Sequence, residues 1–277
     1  MSYKNPKEII YNIDELIVHH DELKHYVIDT QGHLSINFSD QNAVFHLNKA
    51  LLKAYYDVKD WQLPKGYLCP GIPGRMHYLN LLNKLVDKDE VHGIDIGTGA
   101  SAIYCILAAK HFKWKMNGID SNPEAYNWAK KNISLAEGLE ALVSIRFQDD
   151  NSNILTGALD ENCFYDFTMC NPPFYSSEKE AVKANTHKIT NLNLGINSQN
   201  IGHAKELWCN GGEALFIKRM IKESMHYKEQ VHFFTSLVSN KKNVDKLVKL
   251  IRKCNAKESI ETLKIGNKTS HVLIWQF

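Results

Sequence analysis

The sequence predicts an α/β fold in which helices cover both faces of a mostly parallel, seven-stranded sheet. From residue 75 onward, short apolar runs alternate with amphipathic segments of helical length, a pattern typical of parallel strands joined by helical crossovers. A glycine-rich turn ends one apolar run and a Pro-Pro turn ends another. The last two runs are too close together for a helical crossover, so they predict an antiparallel C-terminal hairpin at one edge.

The first seventy residues are predicted to form a mainly helical N-terminal extension. Residues 6–30 carry apolar side chains at steps of three and four, which predicts a helix. Residues 34–38 alternate like a short strand, and Asp40 is placed to cap a helix that runs to about residue 56. A loop rich in Pro and Gly at residues 63–75 then marks the boundary of the extension.

The main domain is predicted to span residues 71–277. Its predicted strands are 91–96, 115–120, 141–147, 166–170, 231–238, 258–265 and 271–277. Its predicted helices are 75–86, 100–111, 123–137, 214–227 and 244–254. A polar, Asn-rich stretch at 176–204 has weak periodicity and is predicted to be a mobile insertion.

Composition excludes several classes of protein. The chain has 277 residues, of which 44% are hydrophobic and 23% charged, as in ordinary globular proteins. It has no run of eighteen apolar residues and no apolar segment near the start that resembles a secretory signal. Its six cysteines have no C-x-x-C spacing, which argues against a zinc site and fits reduced thiols. We therefore expect a cytoplasmic protein without a metal or a membrane partner.

The charge is unevenly distributed along the chain. Residues 176–277 contain 17 Lys and Arg against 9 Asp and Glu, a balance of +8, whereas residues 1–175 carry −6. Solvated helix faces alone can produce such an imbalance. The alternative is a basic half that binds a polyanion, with Lys and Arg neutralising phosphates.

A glycine-rich turn follows the strand that ends in Asp95. Gly97, Thr98 and Gly99 lie where the chain passes from a strand to a helix, so the backbone can turn tightly and approach a ligand. The next strand ends in Asp120, where a carboxylate can accept hydrogen bonds from a ribose diol. Such turns also serve NAD, FAD and purely structural roles. The third glycine of the dinucleotide pattern is absent here, which favours S-adenosyl-L-methionine over NAD.

Other residues are candidates to complete a cofactor pocket. Gln148 and Asp150 follow the third strand, where a polar side chain can read an adenine amino group, although the acidic residues can equally belong to a solvated loop. Arg75 can pair with the carboxylate of a methionine moiety, because a guanidinium matches a carboxylate with two hydrogen bonds.

The motif Asn171-Pro172-Pro173-Phe174 follows another apolar strand, at the sheet edge where open α/β folds bind ligands. The two prolines stiffen the turn and donate no N–H. The Asn171 amide oxygen and the Pro172 carbonyl can accept hydrogen bonds from a planar amine, so that its lone pair points at an electrophile. Phe174 can stack on the target ring. The motif therefore predicts catalysis by positioning and fixed dipoles, without a general base.

Several segments together resemble the bacterial ribosomal RNA large-subunit methyltransferase F family, which methylates N6 of one adenine in 23S rRNA. The superfamily includes a eukaryotic methyltransferase-like enzyme that acts on U6 snRNA and mRNA hairpins. The matching segments are 46–52, 66–70, 73–75, 94–101, 166–174, 191–195, 206–209 and 211–213. The four-residue motif alone is shared with DNA-adenine and glutamine-N5 methyltransferases, whereas 70–75 and 207–213 are more specific.

The resemblance implies a class I Rossmann-like fold and an S-adenosyl-L-methionine-dependent RNA-binding enzyme that forms N6-methyladenosine and S-adenosyl-L-homocysteine during rRNA methylation. The family's cofactor contacts match Arg75, Gly97, Ser101, Asp120 and Asn171. The extension and the insertion are then expected to contact RNA. In the insertion the candidate phosphate ligands are Lys179, Lys183 and Lys188.

Two alternatives remain open at the level of sequence. The same motif can methylate a DNA adenine or a protein glutamine. A chain of this kind can also be an RNA chaperone that binds the cofactor without catalysis, although the intact motif at residues 171–174 argues against this.

Overall fold

The computed structural model of the chain describes residues 11–67, 69–173, 177, 180, 208–265 and 268–277. Within these residues a seven-stranded sheet lies between two layers of helices, as the sequence predicts. The predicted insertion at 176–204 falls outside the described ranges, apart from Ser177 and Glu180.

The N-terminal extension contains two helices and a small hairpin. Its elements are helix α1 (Ile13–His19), a 3-10 helix (Asp21–Tyr26), strands β1 (Val27–Thr30) and β2 (His33–Ile36), and helix α2 (Gln41–Tyr56). Asp40 caps α2 by accepting the N–H of Asn42 at 2.8 Å, which confirms the predicted start of this helix.

The single helix predicted over residues 6–30 is wrong beyond α1. His20 has an extended backbone (φ −152°, ψ 90°) and ends that helix. Further along, Gln31 and Gly32 both have positive φ angles (56° and 82°), as a tight hairpin turn requires. Residues 27–30 fall within the predicted helix, but they form strand β1 of the antiparallel pair β1–β2, where β-branched side chains such as Val27 and Ile28 are favoured.

The main sheet has the order β5-β4-β3-β6-β7-β9-β8 within the described residues. Its strands are β3 (His92–Ile96), β4 (Lys115–Asp120), β5 (Val143–Phe147), β6 (Tyr165–Cys170), β7 (Val231–Val238), β8 (Lys257–Ile265) and β9 (Lys268–Gln276). Strands β3 to β7 are mutually parallel, whereas β9 is antiparallel to β7 and pairs with β8 as the predicted C-terminal hairpin.

The sheet reverses its direction of growth beside β3. From β3 the chain adds β4 and then β5 on one side, and then returns to place β6 on the other side. Such a switch point opens a crevice at the carboxyl ends of the strands, where ligands bind in open α/β sheets. The topology therefore places a candidate site between the ends of β3 and β6.

Helices cover the two faces of the sheet. They are α3 (Ile72–Val86), α4 (Ile103–Leu107) with a following π-helical turn (Ala108–Phe112), α5 (Pro123–Leu135), α6 (Gly212–Ser224) and α7 (Lys241–Lys253). The helix predicted from residue 100 begins later, because Ala102 has a left-handed backbone (φ 48°) that interrupts it. None of the described helices is long and apolar enough to cross a membrane.

The hydrophobic core has two main parts, one on each face. One includes side chains of α1 and α2 together with α3, α4 and α5. The other joins α6 and α7 to the opposite face. The N-terminal helices thus pack in the same core as helices of the main domain, and the division of the chain at residue 70 stays a prediction.

Candidate active site

The carboxyl ends of β3, β4 and β6 meet around a cavity of about 630 Å³, a size typical of small-molecule sites. Most of the residues predicted for the site line it. They are Arg75, Gly97, Thr98, Gly99, Ser101, Asp120, Gln148, Asn171, Pro172 and Pro173. Asp95 and Asp150 are not among the lining residues. Phe174, Lys179, Lys183 and Lys188 lie outside the described residues.

The glycine turn, residues 97–102, forms one wall of the cavity. Gly97 and Gly99 have φ angles of 75° and 67°, a region that glycine enters without steric cost. The N–H groups of Gly97 and the next residue both donate to the carbonyl of Ile119 at 2.9 Å. Two N–H groups of the turn are therefore bound to the end of β4.

Asp120 links the glycine turn to the end of β4. Its Oδ2 accepts the Gly99 N–H and its Oδ1 accepts the Asn122 N–H, both at 2.8 Å. Burial raises the pKa of Asp120, and these backbone donors oppose the rise. Each carboxylate oxygen retains further acceptor capacity. Asp120 is thus held in one orientation at the cavity wall, where it can accept hydrogen bonds from a diol.

Arg75 and Asp95 supply opposite charges near one end of the cavity. The Arg75 guanidinium carbon lies 5.2 Å from the centre of the Tyr104 ring, and its Nη1 donates to the Tyr104 hydroxyl at 3.3 Å. Among the described residues, Arg75 Nε and both Asp95 carboxylate oxygens have no hydrogen-bond partner. Burial raises the pKa of Asp95 to about 7; the nearby Thr98 hydroxyl and the Arg75 charge oppose this rise, and the Asp120 charge adds to it. An amino-acid zwitterion matches this pair, since buried polar groups require partners.

The loop after β5 forms a third wall. The buried Gln148 uses its amide to donate to the Thr156 carbonyl at 2.8 Å and to accept the Asp150 N–H at 3.3 Å. The exposed Asp150 carboxylate accepts Nδ2 of Asn153 at 2.9 Å, together with two donors of Ser152. Asp150 therefore organises the turn, whereas its neighbours Asn151 and Asn153 line the cavity.

The proline turn, residues 171–173, closes the cavity beside β3. It follows β6 directly, and Cys170 at the end of β6 pairs with Ile96 at the end of β3. Asn171 is half-buried and lines the same cavity as Asp120. The turn and the glycine turn thus lie at the ends of adjacent strands, as the sequence predicts.

Two cysteines in the cavity wall are poor nucleophiles. Burial raises the pKa of Cys170 well above its ordinary value, and it also raises the pKa of Cys209. The thiolate is the reactive form of cysteine, so both side chains stay neutral near pH 7. A covalent intermediate on either cysteine is therefore disfavoured.

Sequence reasoning missed part of the cavity. The residues that it did not assign to the site include Leu63, Pro70, Tyr104, Asn122, Asn153, Trp208, Phe216 and Arg219. Trp208 lies within a segment singled out by the family resemblance, which was the available signal. Pro70 also lies within such a segment, at residues 66–70. No periodicity or motif indicated Leu63 or Arg219, which tertiary packing brings to the cavity.

Two glutamates of α6 hold neighbouring loops in place. Glu213 is buried and accepts the Ser239 hydroxyl at 2.6 Å and the Asn243 amide at 2.9 Å. Glu223 accepts the N–H groups of Ile154 and Leu155 at 2.9 and 2.7 Å. Helix α6 therefore fixes both the β7–α7 turn and the loop after β5. Among the described residues, no group of three His, Cys, Asp or Glu side chains can hold a metal ion.

Known proteins share this sequence and architecture. A sequence model of a family described as RNA methyltransferase matches residues 1–277. The chain is 44% identical over 274 residues to Ribosomal RNA large subunit methyltransferase F of Christiangramia forsetii, covering 96% of each protein. It is 39% identical over 297 residues to the protein of that name from Colwellia psychrerythraea, covering 100% of this chain and 99% of the relative.

Solved structures with similar folds contain the two kinds of ligand that the site suggests. The hMettl16 catalytic domain in complex with MAT2A 3'UTR hairpin 1 matches with a TM-score of 0.83 and 29% identity, over 96% of this chain and 91% of that chain. The N-terminal domain of human METTL16 in complex with SAH matches with a TM-score of 0.79 and 26% identity, over 99% and 96%. These matches confirm the predicted Rossmann-like methyltransferase fold.

Proposed function

The chain belongs to the RNA methyltransferase family, and from this premise we propose that it transfers a methyl group from S-adenosyl-L-methionine to N6 of a specific adenine in 23S rRNA. The observation that carries the proposal is that Asp120 and Asn171, at the ends of β4 and β6, line one cavity. The names of the relatives support the large ribosomal subunit as the source of the substrate, and a cytoplasmic location follows from that substrate.

The cofactor is proposed to lie along the walls formed by the glycine turn and the loop after β5. Arg75, which lines the cavity, would pair with the carboxylate of its amino-acid moiety. Asp95 is buried without lining the cavity, and its charge would favour the ammonium. Asp120 accepts the ribose hydroxyls, and the Gly97, Thr98, Gly99 and Ser101 backbone borders the nucleoside. Gln148 and the adjacent loop border the adenine. When bound, S-adenosyl-L-methionine supplies an electrophilic methyl group.

Asn171 and Pro172 are proposed to hold the amine that accepts the methyl group. The exocyclic nitrogen of adenine is a poor nucleophile because its lone pair is delocalised into the ring. Hydrogen bonds from this NH₂ to the Asn171 amide oxygen and the Pro172 carbonyl favour a tetrahedral nitrogen. The fixed dipoles need little reorganisation during the reaction. After transfer the nitrogen loses its extra proton to water, so no general base is required.

Basic side chains on α6 and at the start of α7 support RNA as the substrate. Arg219 lines the cavity, and the exposed Lys218 and Lys222 lie on the same helix, α6. Lys241 and Lys242 are exposed at the start of α7, which follows the carboxyl end of β7. We also propose phosphate contacts from the insertion lysines Lys179, Lys183 and Lys188, and ring stacking by Phe174.

Methyl transfer to defined acceptors tests this proposal. The protein is incubated with radiolabelled S-adenosyl-L-methionine and, in separate reactions, protein-free 23S rRNA, double-stranded DNA and a release-factor protein. The labelled acceptor is digested and its nucleosides or amino acids are separated by chromatography. We expect label in 23S rRNA, recovered as N6-methyladenosine. Label only in DNA or in protein glutamine contradicts the proposed substrate, and no label in any acceptor supports the non-catalytic alternative.

A further inference from the structure

The glycine turn is held from behind by the segment that joins the N-terminal extension to the main domain. Trp61 is 1% exposed, and its Nε1 donates to the carbonyl of Ser101 at 2.9 Å. The Trp61 ring also packs beside Phe45 of α2, with 5.6 Å between ring centres. A buried indole therefore joins the extension to a residue that lines the cavity.

A second buried side chain completes this support. Asn132 on α5 is fully buried. Its Nδ2 donates to the carbonyls of Ala100 and Gln62 at 2.9 and 2.8 Å, and its Oδ1 accepts the Gln62 N–H at 2.9 Å. One amide thus joins the glycine turn, α5 and the segment beside Trp61.

The same segment also packs against the glycine turn. Tyr67 forms a small buried cluster with Ala100 and Ala125, against which Leu63 and Trp128 pack. Leu63 also lines the cavity. The segment before the predicted domain boundary therefore supports the glycine turn through Trp61 and lines the cavity through Leu63.

We infer that Trp61 and Asn132 are positioning residues for cofactor binding, which fix the Ala100 and Ser101 carbonyls so that the other side of the glycine turn faces the cofactor. This inference rests on the proposed cofactor. The two side chains act through the turn, because neither lines the cavity. Asp120 holds the turn through the Gly99 N–H, so the turn is fixed from the cavity side and from behind.

If these residues position the glycine turn, their substitution should lower the affinity for the cofactor without lowering the rate of methyl transfer to the same extent. Trp61→Phe retains an aromatic ring and removes one donor, which leaves the buried Ser101 carbonyl unpaired. We expect this variant to bind S-adenosyl-L-homocysteine about tenfold more weakly and to raise KM for S-adenosyl-L-methionine by the same factor. At saturating cofactor, kcat and the affinity for 23S rRNA stay within about twofold, as expected for uniform binding.

Trp275→Phe is the matched control. Trp275 is fully buried and its Nε1 donates to the Ser224 hydroxyl at 2.9 Å, in the core between β9 and α6. Like Trp61→Phe, this variant removes one hydrogen bond donated by a buried indole, but at a place outside the cavity lining. We expect it to lower the melting temperature by a similar amount and to leave KM unchanged.

Calorimetric titration with S-adenosyl-L-homocysteine separates the possible failures. If the wild type binds and Trp61→Phe binds equally well, or if both tryptophan variants weaken binding equally, the positioning role is contradicted. If the wild type itself does not bind, the proposed cofactor fails first and the inference fails with it. Asn132→Asp turns a donor into a carboxylate facing two carbonyls, so it is expected to weaken binding more than Trp61→Phe; equal or stronger binding contradicts the role.

Discussion

The glycine turn and the proline turn line the same cavity, but different forces hold them. The glycine turn depends on partners distant in sequence: Ile119 and Asp120 bind its N–H groups, and Trp61 and Asn132 bind its carbonyls. The proline turn at residues 171–173 owes its stiffness to two pyrrolidine rings. One turn is assembled by tertiary structure, whereas the other is largely specified by its own sequence.

This difference separates binding from chemistry. Substitutions around the glycine turn are expected to alter the dissociation constant of the cofactor, because the turn shapes the walls beside it. Substitutions in the proline turn are expected to alter turnover, because its acceptors position the amine. An interaction made only in the transition state affects kcat, whereas uniform binding affects KM. The predictions below test this separation, beginning with the largest effect.

Replacement of Asn171 by alanine is expected to have the largest effect. Asn171→Ala removes the amide acceptor, and we expect kcat for methyl transfer to fall about 10³-fold, as when one fixed dipole is removed from an active site. The affinity for S-adenosyl-L-homocysteine is expected to change less than about threefold. Asn117→Ala is the control, since Asn117 on β4 donates to the Tyr165 hydroxyl at 2.8 Å and does not line the cavity. Near-normal turnover of Asn171→Ala contradicts the role of the proline turn.

Loss of the Asp120 carboxylate is expected to have the opposite signature. Asp120→Ala removes the acceptor of the Gly99 N–H and the proposed ribose ligand, so affinity for S-adenosyl-L-homocysteine should fall about 100-fold by calorimetry. At saturating cofactor the loss in kcat is expected to be much smaller than for Asn171→Ala. Asp160→Ala is the control, because Asp160 pairs with Arg146 outside the cavity. If Asp120→Ala instead lowers kcat strongly and leaves the affinity for S-adenosyl-L-homocysteine unchanged, the proposed separation of cofactor binding from catalysis between the two turns is wrong.

The two turns also differ in how well the sequence predicts them. The proximity of Asp120 to Asn171 follows from the alternation of strands and helices, because parallel strands bring their carboxyl ends to one edge of the sheet. The C-terminal hairpin follows from the short connection between the last two strands. Strand β1 was predicted as part of a helix over residues 6–30, whereas β2 overlaps the strand predicted at residues 34–38. The tight turn between β1 and β2 depends on two positive φ angles that apolar spacing does not reveal.

The supports of the glycine turn could not be predicted from local sequence. Trp61 lies 40 residues from Ser101, and Asn132 lies 32 residues from Ala100. The position of a buried tryptophan or asparagine in the sequence does not predict which residue will be its hydrogen-bond partner. The hydrogen bonds from the Gly97 and Thr98 N–H groups to the Ile119 carbonyl likewise depend on the pairing of β3 with β4, which the local motif does not specify.

Asp95 lies on β3, two residues before the glycine turn, and its raised pKa makes the stability of the protein depend on pH. Because burial raises the pKa of Asp95 to about 7, the native state binds more protons than the unfolded state between about pH 4 and pH 7. The stability of the wild type therefore falls as pH rises through this range and levels off above it. Asp95→Asn has no such titration. We expect it to raise the melting temperature by about 5 °C at pH 8 and by almost nothing at pH 4.

The same substitution is expected to weaken the binding of S-adenosyl-L-homocysteine about tenfold at pH 8, because the ammonium loses its anionic partner. Scanning calorimetry and titration at several pH values measure the two effects. Asp166→Asn is the control: Asp166 is also buried but is paired with Lys88 and the His92 N–H, so its loss should lower the melting temperature at pH 8. If Asp95→Asn also lowers the melting temperature at pH 8, the buried charge of Asp95 is not what lowers the stability of the wild type at that pH.

Asp150→Ala is expected to have the smallest effect. The sequence placed Asp150 in the cofactor pocket, but its exposed carboxylate binds Ser152 and Asn153 within its own turn. Glu223 holds the following residues, Ile154 and Leu155, independently of Asp150. Affinity for S-adenosyl-L-homocysteine should therefore stay within about twofold, and the melting temperature should fall only slightly, because the carboxylate is exposed to solvent. A tenfold loss of affinity without a loss of stability indicates instead that Asp150 contacts the cofactor. The loop after β5 would then contribute to cofactor binding, as the glycine turn is proposed to do.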